Sequence, residues 1–359
     1  MEIFSFFSGI GFLDLGFETA GADISFVNEN NNNFLQAYQY ARRNRQRAPR
    51  YGYSADSMEI FINDEVWNHQ FPNYGTGNLK NLIGFIGGPP CPDFSAAGKN
   101  AGSEGENGQL TEKYISLIIK RQPDFFLLEN VKGLYQTKKH KEFYMRMKKR
   151  LYRAGYSVFD SIENALEYGV PQFRDRLILI GFRRKTFGNR LVYTIGRNKR
   201  YTLDQIFQCD WPTTNEFHIG NILNRPENII EDLTVEHWFR FNDVANHENA
   251  NDVFNVLAET KFMTIAEGDT SKKSFKRLHR WRYSPTAAYG NNEVHLHPYQ
   301  ARRISVAEAL AIQSAPAWFQ VLPTLSLSSK FKMVGNGVPY LLAYGIAQEL
   351  LQWIEEYTH

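Results

Sequence analysis

Glu2-Ile3-Phe4-Ser5-Phe6-Phe7-Ser8-Gly9-Ile10-Gly11-Phe12 begins with an aromatic-rich apolar run and passes into a glycine turn. Residues 12–20 have helical spacing, Gly21 stands where a helix stops, and residues 24–27 read as a second strand. That strand ends in Asn28-Glu29-Asn30. Strand, glycine turn, helix and acid-tipped strand make a β-α-β unit. They predict a doubly wound, mostly parallel α/β sheet with its ligand at the carboxyl ends of the strands. Such a unit binds an adenosine-bearing cofactor. The spacing is Gly9-x-Gly11, with the next glycine at Gly16. It departs from G-x-G-x-x-G, whose third glycine lets a helix pack beneath a pyrophosphate, and the bulky Phe12 adds to the departure. S-Adenosylmethionine carries no phosphate. It needs close backbone approach, which Phe7, Ser8, Gly9 and Gly11 can provide, and a carboxylate for its ribose hydroxyls, which Glu29 beside Asn30 can provide. A purely structural βα turn has similar residues.

Ser54-Ala55-Asp56 places another acid after a short strand, where it can face an adenine or cap a helix. The apolar run 82–86 then stops at Gly87-Gly88-Pro89-Pro90, and Cys91 follows. Two glycines allow close approach and two prolines stiffen the turn, so a thiol is held at the carboxyl end of a strand. An inert packed cysteine is the alternative. Residues 96–110, rich in Gly, Ser and Asn, read as a loop able to close over a substrate. The all-apolar strand 125–128 ends in Glu129-Asn130-Val131, an acid whose burial would raise its pKa and suit it to donate a proton, or which a neighbour pairs. Gln172, Arg174 and Arg176 alternate into a further strand over 177–182 and can bind carbonyl or phosphate oxygens, or form a salt-bridged edge.

The chain has 359 residues, 43% hydrophobic and 22% charged, and its length predicts roughly two domains. Cys91 and Cys209 are too few for a disulfide framework or a four-cysteine zinc site, and Cys209 reads as structural. His295-x-His297 lacks a third ligand, so no metal is predicted. With no apolar run of membrane length and no basic leader, a cytoplasmic, nucleoid-associated protein without membrane contact is expected. Net charge is only +3, yet basic residues cluster at 42–50, 138–150, 183–200 and 272–282, the footprint of a polyanion partner. A solvated helix face is the plain alternative for each cluster.

Six motifs in one order make the chain resemble the cytosine-5 DNA methyltransferase family. They are Phe7-Ser8-Gly9-Ile10-Gly11, Gly87-Gly88-Pro89-Pro90-Cys91, Glu129-Asn130-Val131, Gln172-x-Arg174-x-Arg176, the stretch 302–313, and Val334-Gly335-Asn336-Gly337-Val338-Pro339. Two positions depart from the family pattern: Pro92 replaces the usual glutamine after the cysteine, and Phe12 stands where glycine is frequent.

The resemblance implies a Rossmann-like methyltransferase domain formed by 1–185 and 286–359, interrupted by a smaller, irregular, mainly β target recognition domain at 186–285. It implies methyl transfer from S-adenosylmethionine, leaving S-adenosylhomocysteine, to C5 of a flipped cytosine in duplex DNA. Cys91 would be the nucleophile, with Glu129, Arg174 and Arg176 completing the catalytic set. Pro89, Asn336 and Val338 would join Phe7, Ser8, Gly9, Gly11, Glu29, Asn30 and Asp56 at the cofactor. Ser95, Gln172, Lys272, Lys273, Lys276, Arg277, Arg280 and Arg282 would touch DNA. Size and lack of extensions suggest a monomer paired functionally, without stable complex, to a restriction endonuclease. A tRNA methyltransferase of the same family and a silent DNA-binding relative are the alternatives. A nicotinamide oxidoreductase fails on glycine spacing.

Overall fold

A computed structural model describes residues 1–359 except 45–47, 91–105, 136, 257, 258, 288, 290–292 and 359. Seven strands form one sheet: β1 (Glu2–Phe6), β2 (Asp23–Asn28), β3 (Tyr53–Ser54), β4 (Ile83–Gly87), β5 (Phe125–Val131), β6 (Tyr156–Asn164) and β7 (Asp175–Arg183). Their order is β3-β2-β1-β4-β5-β7-β6. β1 to β5 pair in parallel, whereas β7 runs antiparallel to both β5 and β6. The sheet is mostly parallel, as predicted, with β7 its single reversed strand. Residues 165–174, between β6 and β7, are too few for a parallel crossover, which takes roughly a dozen or more.

Alternation along the strands sends side chains to two cores. On one face Ile3, Ile24 and Val27 pack with α1 (Phe12–Thr19), α2 (Asn32–Ala41) and the last helix. On the other, Phe4, Phe6 and Phe26 pack with α3 (Asp64–Gln70), α4 (Glu106–Arg121) and α5 (Lys138–Arg153). Shorter helices follow: α6 (Arg184–Phe187), α7 (Leu203–Phe207), α8 (Val235–Phe241) and α9 (Glu259–Thr264). α10 (Val306–Ile312), α11 (Leu327–Asn336) and α12 (Tyr340–Thr358) complete the chain. Gly16 is where the two ends of the chain meet. A Cβ there would lie 2.5 Å from the Ala343 carbonyl carbon of α12, so the third glycine of the opening serves helix packing.

Two expectations are corrected. The 186–285 segment is not mainly β: its described residues hold short helices, irregular chain and isolated bridges such as Asn215–Glu267, but no strand. Its Asn, Gly and Pro residues interrupt any ladder. Leu166, Ile206 and Leu233 instead gather a small cluster around Tyr201, Trp211 and Tyr283. Residues 106–110, expected in the loop after the cysteine, begin α4. No helix among the described residues is long and apolar enough to cross a membrane.

Candidate active site

Phe7, directly after β1, has φ 55°, a left-handed conformation that costs a bulky residue roughly 1–2 kcal/mol. It turns the chain into Ser8-Gly9. The Gly9 N–H donates to Glu29 Oε2 at 2.9 Å and the Asn31 N–H to Glu29 Oε1 at 2.8 Å, tying the glycine turn to the tip of β2. Burial raises the Glu29 carboxyl pKa against those two hydrogen bonds. Among the described residues, a Cβ on Gly9 would meet nothing within 4 Å, and the buried Ser8 Oγ has no partner. An open glycine, an unpartnered hydroxyl and a held carboxylate form a cradle that fits a polar, ribose-bearing ligand. At the tip of β3, Asp56 is exposed and accepts from Ser54 Oγ at 2.9 Å. Asn30 is exposed and Pro89 is buried after β4.

Gly11 and Phe12 face away from this cradle. A Cβ on Gly11 would lie 2.4 Å from the Tyr38 ring. Phe12 turns into the core against Phe319, with ring centroids 5.0 Å apart, and against Gly337. Its departure from glycine therefore leaves the cradle open. Asn336 is the exposed last residue of α11 rather than part of a free turn, and Val338 packs in the core with Leu13 and Val27.

Arg42 was expected to serve a polyanion and does not. Only 7% exposed, it donates from Nη2 to the Gly11 carbonyl at 2.7 Å and from Nη1 to the Ile10 carbonyl at 3.3 Å. Its Nε pairs with Glu18 at 3.2 Å, and its guanidinium lies 3.8 Å from the Tyr38 ring centre. It locks the glycine turn from behind. The sequence held a signal: Asp14 and Glu18 stand one helical turn apart on α1, as Tyr38 and Arg42 do at the end of α2.

Across the sheet, the antiparallel register opposes Glu129 to Ile178 and Val131 to Arg176, making Glu129 and Arg176 diagonal neighbours. Arg176 Nε lies 2.8 Å from Glu129 Oε1, with side chains 13% and 11% exposed. Burial raises the Glu129 carboxyl, opposed by Arg176 and then Arg174. A Cβ on Gly88 would lie 2.8 Å from Glu129 Oε2, so the glycine directly after β4 brings that turn onto the carboxylate. Arg174 is fully enclosed. Its Nη1 donates to the Ala287 carbonyl at 3.2 Å and its Nη2 to the Gly337 carbonyl at 3.1 Å, while its Nε has no partner among the described residues. Asn130 accepts the Val131 N–H at 2.7 Å, and its buried Nδ2 is likewise unpartnered. Unpartnered buried donors are rare, and these two leave hydrogen-bonding capacity beside the Glu129–Arg176 pair. Cys91 and Ser95, with Pro92, lie outside the described residues.

Several residues expected at DNA are interior. Gln172 is 0% exposed. Its Nε2 donates to Gln313 Oε1 at 3.0 Å and its Oε1 accepts the Ala287 N–H at 2.9 Å. β7 begins only at Asp175, so Gln172 precedes the strand whose alternation was to align it with Arg176. Arg277 donates to the carbonyls of Phe262, Ile265, His297 and Gln300. Arg280 pairs with Glu267 at 2.8 Å, the two side chains 6% and 1% exposed. Both were read as surface charge because carbonyl acceptors brought by distant segments leave no trace in local sequence. Lys272 and Lys273 are exposed, and Lys276 and Arg282 half-buried. His297 approaches Glu308 at 3.4 Å and His295 approaches Ser284 Oγ at 3.5 Å. No group of three potential metal ligands occurs among the described residues.

The profile of the family described as C-5 cytosine-specific DNA methylase matches residues 1–352. The chain is 50% identical to Type II methyltransferase M.NmeDI of Neisseria meningitidis serogroup C, covering 99% of this chain and 84% of that one. It is 30% identical to Type II methyltransferase M.FnuDI of Fusobacterium nucleatum, covering 99% and 96%. The crystal structure of S. pombe Dnmt2 methyltransferase has the same fold, with TM-score 0.62 and 13% identity over 98% of this chain and 99% of that one. The match spans both the glycine cradle and the Glu129–Arg176 pair, and this chain belongs to the C-5 cytosine-specific DNA methylase family.

Proposed function

We propose that the protein transfers a methyl group from S-adenosylmethionine to C5 of a cytosine within a specific duplex DNA sequence. The observation that carries this reading is the buried Glu129–Arg176 pair, 2.8 Å apart, seated under Gly88 at the turn leading to Cys91. When bound, S-adenosylmethionine supplies an electrophilic methyl group. Ser8, Gly9 and Glu29 would hold it, with Phe7, Asn30, Asp56, Pro89 and Asn336 shaping the surroundings.

C5 of cytosine is a poor nucleophile. Attack of the Cys91 thiolate on C6 breaks the ring's aromaticity and makes C5 enamine-like. Glu129, with its carboxyl raised by burial, protonates or hydrogen-bonds N3 and the exocyclic amine as that bond forms. Arg174 and Arg176 hold O2 and favour the thiolate, of which an unperturbed thiol has only a few per cent near neutrality. After methyl transfer the C5 proton leaves and the Cys91–C6 bond breaks. The cytosine must first leave its stack, at a cost of a few kcal/mol, which phosphate contacts offset. Residues 186–285 would read the sequence as a distinct recognition unit between 1–185 and 286–359, with Lys272, Lys273, Lys276 and Arg282 on phosphates and bases and Ser95 at the closing loop. The Type II methyltransferase relatives support a role as the modification enzyme of a restriction system, protecting host DNA. The same reading has it act as a cytoplasmic, nucleoid-associated monomer, paired to an endonuclease without stable complex.

A duplex carrying 5-fluorocytosine at the recognised site provides the test, because fluorine cannot depart as a proton does. With methyl donor present, denaturing electrophoresis and peptide mapping should find DNA bonded to residue 91, and Cys91→Ser should bind DNA without linking. Recovery of unlinked wild-type protein, while ordinary DNA is methylated, would overturn the covalent step.

A further inference from the structure

The clusters of basic residues divide sharply once folded. Arg42, Arg174, Arg277 and Arg280 are buried on carbonyls and carboxylates. The outer face of α5 differs. Lys138, Lys141, Arg146, Lys149 and Arg153 are exposed, and none has a carboxylate within 4 Å among the described residues. Helical spacing puts them on one broad face with a single acid, Glu142. Met145 and Tyr152, 50% and 61% exposed, sit on the same face, and the Arg184 guanidinium caps the Tyr152 ring at 4.5 Å. The inner face, by contrast, is anchored in the core by Phe143, Met147 and Leu151. Lys148 and Arg150, at the margins, are neutralised by Asp160 and Glu112. A helix of 16 residues spans roughly 24 Å, about seven base pairs of duplex.

We propose that the exposed face of α5 is a second duplex-DNA contact, outside the catalytic cleft, that grips the backbone of flanking or neighbouring DNA without reading its sequence. The reading rests on DNA being the substrate. Unneutralised lysines spaced along one rigid rod suit a phosphate ladder, and the lack of paired acids means no charge must be stripped before binding. The exposed methionine and tyrosine would lie against sugar and backbone. Holding DNA here would keep the enzyme on the duplex between recognition sites.

The test uses the full chain and a triple variant, Lys141→Gln, Arg146→Gln and Lys149→Gln, whose fold is checked by circular dichroism. Binding to a long duplex lacking the recognition site is measured as salt is varied. The proposal expects the log–log slope to shrink by about 2–3, since each phosphate contact contributes roughly 0.9. Methyl transfer to a short duplex that only fills the cleft should keep its kcat, while successive methylations per encounter on long DNA fall several-fold. An unchanged slope would overturn the proposal, and so would an equal loss of kcat on the short duplex, because the face would then serve an acidic protein or the catalytic site instead. Failure of the wild-type protein to methylate any duplex would refute the enzymatic reading alone, whatever the slope.

Discussion

Two arginine-bearing segments look alike in sequence and behave differently in the fold. Arg174 and Arg176 lead into β7, and Arg277 and Arg280 lie in the 272–282 run, each pair among aromatic neighbours. All four are largely buried. Arg277 and Arg280 find acceptors within the protein, carbonyls for the first and the Glu267 carboxylate for the second. Arg176 is held by Glu129, and Arg174 keeps a buried Nε with no partner among the described residues. A cation is available to a ligand only where folding leaves a donor unmatched. Counting acceptors therefore distinguishes a site from a strut, and counting charges does not.

Arg280→Met probes the strut most severely. Removing one member of a buried pair typically costs about 3–5 kcal/mol, so the urea midpoint should fall steeply, and joint replacement of Glu267 by leucine should recover much of the loss. A change below about 1 kcal/mol would erase the distinction between the segments. Arg176→Lys tests the site: kcat should drop by roughly 10²–10³, the scale of losing one oriented electrostatic donor. Because Arg176 holds the Glu129 carboxyl down against burial, the pH at which protonated Glu129 is lost should move upward in that variant. A proportionate loss of stability with kcat intact would assign Arg176 to the strut class.

Acid provides a milder probe of the same interior. Burial lowers His279 to about 4, with Arg280 and Arg282 adding and Glu267 opposing, and lowers His295 to about 3, helped by Lys276 and Arg303. Both are neutral when folded. Below pH 6.5 the unfolded chain takes up protons that the folded one refuses, so stability declines toward pH 4, by about 1.4 kcal/mol per pH unit for each histidine. Asp14, raised to about 6 by burial, has the opposite sign between its folded and unfolded values and blunts the decline. His295→Gln should reduce the slope by one histidine's share in pH-dependent urea titrations, and an unaltered slope would contradict burial of the neutral ring. The smallest effect belongs to the exposed Lys272 and Lys273. Neutralising either should shift stability by no more than about 0.5 kcal/mol and lower the salt slope of DNA binding by about 0.9.

Much of the sheet was legible because its signals are local. The opening β-α-β unit, the Gly21 stop and the acid-tipped strands all depend on residues a few positions apart, and a left-handed φ of 97° at that glycine matches. The reversed β7 was harder to see, since an apolar run does not state its direction; the short connection at 165–174 was the available clue. The mainly β character of 186–285 was expected from the resemblance alone, whereas the fold gathers its aromatic residues, Tyr201, Trp211 and Tyr283 among them, in a small cluster without a ladder.

The amino-acid sequence alone determined which groups could do chemistry and that they would gather at one edge of a sheet, because strand ends, glycine turns and strand-terminal acids follow from local spacing. Tertiary structure alone decided which charges stay available. It turned Gln172, Arg277 and Arg280 inward, put Arg42 behind the glycine turn and left Ser8, Asn130 and Arg174 with unmatched buried atoms. The physical reason is that a donor's acceptor comes from chain tens to hundreds of residues away, and only folding brings the two together.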